Sequence, residues 1–151
     1  MRVLTLNLWG RRGQWPKRRE VITEAVRQLN PDLVAFQESI KTAHDDQVAE
    51  LLESDYRLVH QAEREPDGQG IAIGSRWEVT AVYEVDLNVT PRTAGTACTS
   101  LIAEIAAPIG PVLLVNHFPS WQLSGMSTSE SCKRWPLPGR SRRSWATGPC
   151  M

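Results

Sequence analysis

Three predicted strands of this 151-residue chain end in polar side chains that a hydrophobic core does not need. The segment VLTLNLWG carries Asn7, PDLVAFQE carries Gln37 and Glu38, and the late segment VLLVNHF carries Asn116 and His117. Strand ends in α/β sheets can meet at one edge, where such proteins bind ligands. A carboxylate, a carboxamide and an imidazole brought together there would suit a hard divalent cation and a phosphate.

Each of these residues also has a purely structural interpretation. Taken singly, Glu38 is typical of a solvent-facing strand end, Asn7 of a turn that follows a strand, and His117 of a histidine satisfied within a core. Their spacing and shared context favour the functional interpretation. The sequence therefore predicts that Asn7, Glu38 and His117 converge on one rim of a sheet, within reach of a single divalent ion.

The elements that must position these residues follow from hydrophobic periodicity. Period-2 apolarity and short buried runs predict strands, and an apolar face of period 3.6 predicts helices. The predicted strands are 2–8, 32–37, 56–60, 70–75, 79–87, 99–106 and 112–118, and the predicted helices are 16–29 and 45–52. Pro108–Pro111 reads as a hairpin turn between the last two strands. The fold class is α/β, with mixed β-sheets and flanking helices.

Bulk composition excludes several classes of protein. Hydrophobic residues make up 41% and charged residues 23% of the chain, close to globular averages, and no apolar run is long enough for a transmembrane segment. The three dispersed cysteines form no metal-binding or disulfide pattern. The first residues lack the features of a secretory signal. We therefore expect a single soluble domain with a cytoplasmic location.

Four segments in the order VLTLNLWG, PDLVAFQE, GIAIGSRW and VLLVNHF carry a family resemblance. Over roughly residues 2–121 the chain resembles the endonuclease/exonuclease/phosphatase superfamily, the magnesium-dependent phosphodiesterases related to DNase I. Abasic-site endonucleases, neutral sphingomyelinases and inositol polyphosphate phosphatases belong to this group. The resemblance implies a DNase I-like four-layer α/β sandwich with the active site at one rim.

The resemblance also implies a role for each polar residue. Glu38 would be a ligand of Mg²⁺, with Mn²⁺ as an alternative, and Asn7 would orient a metal-bound water or a phosphate oxygen. His117 would face the scissile phosphate as an acid or electrostatic stabiliser. Asn116 and Arg76 are the substrate-binding candidates, and a structural salt bridge is the alternative role for Arg76.

The resemblance implies a phosphoester substrate but leaves its identity open. A nucleic acid, a nucleotide, a phospholipid headgroup or an inositol phosphate would all need the same metal site, and the sequence indicates no protein partner. The Gly-Asp-Phe-Asn-like and Ser-Asp-His-like segments of the family do not occur in this sequence. We therefore expect residues 1–123 to be the N-terminal part of a family domain, an incomplete sandwich with weak or absent turnover.

Residues 124–151 differ in composition from the rest of the chain. Residues 131–151 hold five Lys and Arg and no acid, whereas the first 130 residues hold all 17 acids. The segment has no apolar periodicity, which predicts disorder. Codons compatible with it encode, in a shifted frame, an amphipathic helix like the one that follows the Asn-x-His strand in the family. We therefore interpret the tail as the product of a frameshift near residues 123–125.

Two other classes of function stay open at this point. The basic tail, with Trp135 and Trp145, could make the chain a non-enzymatic module that holds single-stranded nucleic acid by charge and stacking. The chain could also be an inert remnant of a hydrolase. Salt-dependent binding that is abolished by deleting residues 131–151 would favour the binding module.

Overall fold

The computed structural model of the chain describes residues 1–88 and 97–118. Within them lie seven strands and two helices. In chain order they are β1 (Val3–Asn7), α1 (Trp15–Leu29), β2 (Leu33–Ile40), α2 (Gln47–Leu51), β3 (Arg57–His60), β4 (Gln69–Ser75), β5 (Val79–Asp86), β6 (Thr99–Ala107) and β7 (Gly110–Phe118). The predicted elements are confirmed to within about three residues at each end. The largest difference is in β2, which continues to Ile40.

The first sheet is mixed and has the strand order β1-β2-β4-β3. β1 and β2 are parallel, with Asn7 opposite Gln37, whereas β4 is antiparallel to both β2 and β3. The parallel pair is joined by α1, which has Pro16 in its first turn and ends at Asn30 in the left-handed conformation. This connection brings the carboxyl ends of β1 and β2 to the same rim.

The second sheet is antiparallel, with the order β5-β6-β7. β6 and β7 form the predicted hairpin, in which Ala107 pairs with Gly110. Gly110 has a φ of 114°, a backbone conformation that favours glycine and permits this tight turn.

Two hydrophobic clusters hold these layers together. On one face of the first sheet, Phe36 and Leu8 pack with helix residues such as Val26 and Val48. On the other face, the first sheet packs against the second through apolar side chains of both. These are Leu33, Ile71 and Ile73 from the first sheet and Leu101, Ala103 and Ile105 from the second. The first sheet therefore lies between the helices and the second sheet, as expected for an α/β sandwich.

None of the helices in the described residues is long and apolar enough to cross a lipid bilayer. The predicted domain end at residue 123, the predicted disorder of 124–151 and the frameshift interpretation all lie outside the described residues.

Candidate active site

Asn7 and Glu38 meet at the rim where β1 and β2 end. The Asn7 side-chain amide Nδ2 donates a hydrogen bond of 3.0 Å to Glu38 Oε1. Asn7 Oδ1 accepts a 2.8 Å bond from the backbone N–H of Trp9, so both ends of the carboxamide are held. Of the three residues predicted to converge, Asn7, Glu38 and His117, the structure brings Asn7 and Glu38 into direct contact.

A β-bulge in β2 aims Glu38 toward Asn7. The register between β2 and β4 shifts between Phe36 and Ser39, and Glu38 has a φ of 51°. In a regular strand, Gln37 and Glu38 would point to opposite faces. Here Gln37 bonds Thr5 and Glu38 bonds Asn7, and these two partners lie on the same face of β1. The bulge therefore places two consecutive polar side chains on one side of the sheet.

Gln37 connects this rim to the second sheet. Its side-chain nitrogen Nε2 donates to Thr5 Oγ1 at 3.2 Å and to Asn116 Oδ1 at 2.7 Å. The carboxamide of Asn116 completes the link by donating to the backbone oxygens of Phe36 at 2.8 Å and Ala72 at 2.9 Å. These bonds lie where the β2–β4 register shifts, so a residue of β7 stabilises the bulge that carries Glu38.

Asn116 lies deeper than expected for a substrate-binding residue. Its side chain is 1% exposed, and both ends of its carboxamide are bonded to protein groups. A buried amide with satisfied hydrogen bonds holds the surrounding backbone in place. In this arrangement Asn116 helps to position Glu38 through its bonds to Gln37 and to the bulge.

His117 projects from the opposite face of β7 to Asn116, because side chains alternate along a strand. Its ring nitrogen Nδ1 is hydrogen bonded to Ser100 Oγ at 2.6 Å, and its side chain is exposed. Asn116 faces the first sheet, so His117 faces away from it. The structure brings His117 into no hydrogen bond with Asn7 or Glu38 within the described residues.

Arg76 lies at the other end of the first sheet. It follows Ser75, which pairs with Leu33 at the beginning of β2, so about five residues or roughly 15 Å of strand separate it from Glu38. Its guanidinium forms an ion pair with Asp55 and donates to Asn30 Oδ1 at 2.6 Å. The structure therefore gives Arg76 the structural ion pair that the sequence had left as its alternative role.

A second polar network lies at the carboxyl end of β3. His60 Nε2 is 3.0 Å from Asp46 Oδ2, which also binds Lys41 Nζ at 2.6 Å, and His60 Nδ1 is 3.2 Å from Arg64 Nη2. Burial lowers the pKa of His60 to about 4, with Lys41 and Arg64 acting in the same direction and Asp46 opposing them. His60 is therefore neutral near pH 7.

Arg64 uses its guanidinium to hold the loop between β3 and β4. It donates to the backbone oxygens of Ser39, Gly68 and Ile71 at 2.8–2.9 Å. Its charge is thus directed at main-chain acceptors within the protein. This network is a structural clamp beside the Glu38 rim.

Glu38 differs from the acids of these networks in having no cationic partner among residues 1–88 and 97–118. Within those two ranges its carboxylate accepts one hydrogen bond, the one from Asn7. A carboxylate can accept about four hydrogen bonds or coordinate a cation with its free lone pairs. No group of three or more His, Cys, Asp or Glu residues suited to a metal ion occurs in the described part of the chain.

The family profile described as Endonuclease/Exonuclease/phosphatase matches residues 4–146. This match includes Asn7, Glu38, Asn116 and His117. The chain belongs to this family. Members of the family are phosphoester hydrolases.

The solved structures that share this fold belong to chains longer than this one. D. rerio TDP2 complexed with single-strand DNA product matches with a TM-score of 0.64 and 16% identity over 82% of this chain and 48% of its own. A family protein from Leptotrichia buccalis gives 0.60 and 17% over 80% and 55%. ANGEL2, a 2′,3′-cyclic phosphatase in complex with adenosine-2′,3′-vanadate, gives 0.56 and 18% over 74% and 35%. The chain thus spans about half the length of these structures or less.

These likenesses confirm the predicted DNase I-like fold class. A comparison with curated protein sequences gives no significant match.

The structure adds residues that the sequence had not singled out as part of the site. Gln37 and Thr5 connect the rim to Asn116, and Trp9 is half exposed beside Asn7. Gln37 directly precedes Glu38 at the end of a strand, and this position could have identified it as part of the site. The bulge that unites both side chains has no signature in a single sequence.

Proposed function

We propose that this chain carries part of the active site of a divalent-metal-dependent phosphoester hydrolase, with Glu38 as the metal ligand. The observation that supports this proposal is the bond between Asn7 and Glu38 at the shared rim of β1 and β2. Mg²⁺ is the expected ion and Mn²⁺ the alternative.

The residues present fit such an ion. Mg²⁺ in proteins keeps several waters and is often bound through only one or two carboxylates together with substrate phosphates. A single half-buried carboxylate, held by an amide and without a cationic partner in the part of the chain that the structure describes, meets that requirement. Asn7 uses its nitrogen for Glu38 and its oxygen for Trp9, so we assign it the orientation of the Glu38 carboxylate.

When bound at Glu38, the ion would supply Lewis-acid stabilisation of charge on a phosphate oxygen. The protein's own contribution is to fix the direction of the carboxylate. Asn7 holds it from β1, and Gln37 and Asn116 hold the bulge from which it projects. A role for His117 as acid or electrostatic stabiliser stays a prediction, with Ser100 as the residue that orients its ring.

The substrates of similar structures suggest a substrate class for this site. One similar structure, TDP2, holds a single-strand DNA product, and another, ANGEL2, is a cyclic phosphatase that holds an adenosine vanadate. We propose a nucleic acid or nucleotide as the first substrate class to examine, ahead of a phospholipid headgroup or inositol phosphate.

We expect slow turnover from this chain. Catalytic groups that act as a unit lose most of their effect when some of them are missing.

Hydrolysis of bis-p-nitrophenyl phosphate tests the proposal. Turnover by the chain should require Mg²⁺ or Mn²⁺ and should fall at least about 100-fold in Glu38→Gln. Asn7→Ala, which removes an orienting partner, should cost roughly 10- to 100-fold. Glu20→Gln, which alters an exposed acid of α1, is the matched control and should change nothing. Metal-independent turnover, or turnover that Glu38→Gln leaves intact, would remove Glu38 as the ligand.

A further inference from the structure

Trp9 stands out among the tryptophans of the described residues. Its side chain is 52% exposed, whereas Trp15, six positions later, is 5% exposed and belongs to the core. Trp9 follows β1 directly, and its backbone N–H is the group that binds Asn7 Oδ1 at 2.8 Å. The indole is therefore carried by the same turn that orients the Glu38 carboxylate.

The backbone at Trp9 is in a conformation that disfavours a bulky side chain. Its φ is 54°, in the left-handed region where residues other than Gly, Asn and Asp are uncommon. Such strain persists only where the surroundings impose it, and it concentrates at functional sites. Burial does not account for the tryptophan here, since half of its surface is open to solvent.

The loop supports the indole from one side. The guanidinium carbon of Arg18 lies 5.8 Å from the centroid of the Trp9 ring, and the ring also borders Gly13. Arg18 is itself fixed, because it donates to the backbone oxygens of Leu8 at 2.7 Å and Arg12 at 2.7 Å. The exposed ring is thus held in place by contacts on its other side.

The neighbourhood of Trp9 is polar and basic. In the fully described loop 8–14, Trp9 is the one large hydrophobic side chain that is exposed. Arg12 follows closely and its side chain is exposed, and Arg18 borders the ring, whereas the Arg11 guanidinium is paired with Asp45 and Glu50. Insertion into a lipid surface would need a larger apolar patch. A lone rigid aromatic ring flanked by cations matches the way proteins bind bases next to phosphates.

We propose that Trp9 is a stacking platform for a nucleobase of the substrate, next to the phosphate held at Glu38. This inference rests on the proposed function and deepens it, because it names a base-carrying phosphoester as the substrate class. The base and the phosphate of a nucleotide are joined by one sugar, so a base can reach an aromatic ring that leaves the same turn. Stacking accepts any base, so the platform confers a preference for nucleotides without a sequence preference.

Binding without hydrolysis tests this proposal separately from the metal site. The probes are a fluorescein-labelled oligothymidylate and an abasic oligomer of equal length and charge, measured by fluorescence anisotropy in EDTA. The full chain should bind the oligothymidylate more tightly than the abasic oligomer. Trp9→Gly should weaken the oligothymidylate about 5- to 100-fold and leave the abasic oligomer nearly unchanged.

Two further variants complete the design. Trp9→Phe should retain most of the base preference, because it keeps an aromatic face. Tyr83→Leu, which removes an equally exposed aromatic from β5, should have no effect. Trp9→Gly should unfold at the same or higher denaturant concentration than the natural chain, since glycine accepts the positive φ. A folded Trp9→Gly would exclude misfolding as the reason for weaker binding.

Equal binding of both oligomers by the natural chain would overturn the platform. So would Trp9-dependent binding to vesicles of phosphatidylcholine and phosphatidylserine without any base preference, which would indicate a membrane contact. Neither result would alter the metal test at Glu38. Conversely, metal-independent hydrolysis would reject the proposed function while a base preference lost in Trp9→Gly still stood.

Discussion

The two ends of the first sheet each carry a charged side chain, and the two side chains differ in how many partners they have within the protein. At one end, Arg76 is bound on several sides, by the Asp55 carboxylate, the Asn30 amide oxygen and the Tyr56 hydroxyl. At the other end, among residues 1–88 and 97–118, the Glu38 carboxylate receives one hydrogen bond, from Asn7. One charge is neutralised within the protein, and the other keeps most of its acceptor capacity.

The backbone differs between the two ends as well. Ser75 pairs with Leu33 in regular antiparallel register beside Arg76, whereas Glu38 projects from a bulge with a φ of 51°. Residues in strained conformations next to unsatisfied polar groups are typical of ligand sites, and ion pairs on regular strands are typical of structural links. The difference indicates a structural role for the Arg76 end and supports the proposal of a ligand site at the Glu38 end.

The largest expected effect on stability concerns the residue that connects the Glu38 end to the second sheet. Asn116→Leu should lower the free energy of unfolding by about 2–4 kcal/mol, because it removes the buried hydrogen bonds that Asn116 makes to the Phe36 and Ala72 carbonyls and to the Gln37 amide. Urea unfolding measures this. Leu113→Asn, an exposed position on the same strand, is the control and should stay within about 0.5 kcal/mol. An unchanged stability with weaker substrate binding would instead place Asn116 at the substrate.

A substitution at the Arg76 end should change the free energy of unfolding and leave function unchanged. Arg76→Met keeps much of the aliphatic stem and removes the bonds to Asp55 and Asn30, so unfolding should become easier by about 1–3 kcal/mol. Divalent-ion binding and hydrolysis by the folded protein should not change. Loss of hydrolysis in a folded Arg76→Met would break the division between the two ends.

Acidification should destabilise the clamp beside the Glu38 end. The pKa of His60 is lowered to about 4 in the folded protein, so between about pH 6.5 and 4 the unfolded chain binds the extra proton and the folded chain does not. Stability should therefore fall by about 1–2 kcal/mol as the pH drops through this window, because solvent screening of this partly exposed group reduces the roughly 3 kcal/mol that the full pKa difference would give. His60→Gln should flatten that part of the profile of unfolding free energy against pH. If the profile of His60→Gln were as steep as that of the natural chain, the loss of stability in acid would come from other titratable groups.

The smallest expected effect would reveal the strain at Glu38. Glu38→Gly should leave the free energy of unfolding unchanged or raise it by up to about 1 kcal/mol, because glycine accepts a φ of 51°. Glu38→Ala keeps the strain and serves as the comparison. If glycine destabilised the protein as it does in an ordinary strand, by about 0.5–1 kcal/mol, the bulge would carry no strain.

Periodicity and turn chemistry predicted much of this fold from the sequence. The alternation of apolar residues in β1 and the Pro108–Pro111 turn depend on neighbours along the chain, and both are confirmed. The contact between Asn7 and Glu38 also follows from parallel strand ends. Such features are local, or they follow from a single strand pairing.

The placement of the remaining site candidates depended on facts that the sequence does not encode locally. His117 and Asn116 are consecutive, so strand alternation had to send one of them away from the first sheet, and only the packing of the two sheets decides which. Arg76 lies at the far end because β4 runs antiparallel to β2. The bulge at Glu38 arises from the tertiary pairing of β2 with β4 and with Asn116.

Manganese binding, followed by the electron paramagnetic resonance signal of free Mn²⁺, tests the central claim most directly. The natural chain and Asp55→Asn, which alters an acid at the Arg76 end, should each bind the ion, and Glu38→Gln should lose that binding. Equal binding by Glu38→Gln and the natural chain would contradict the assignment of the metal site to this rim.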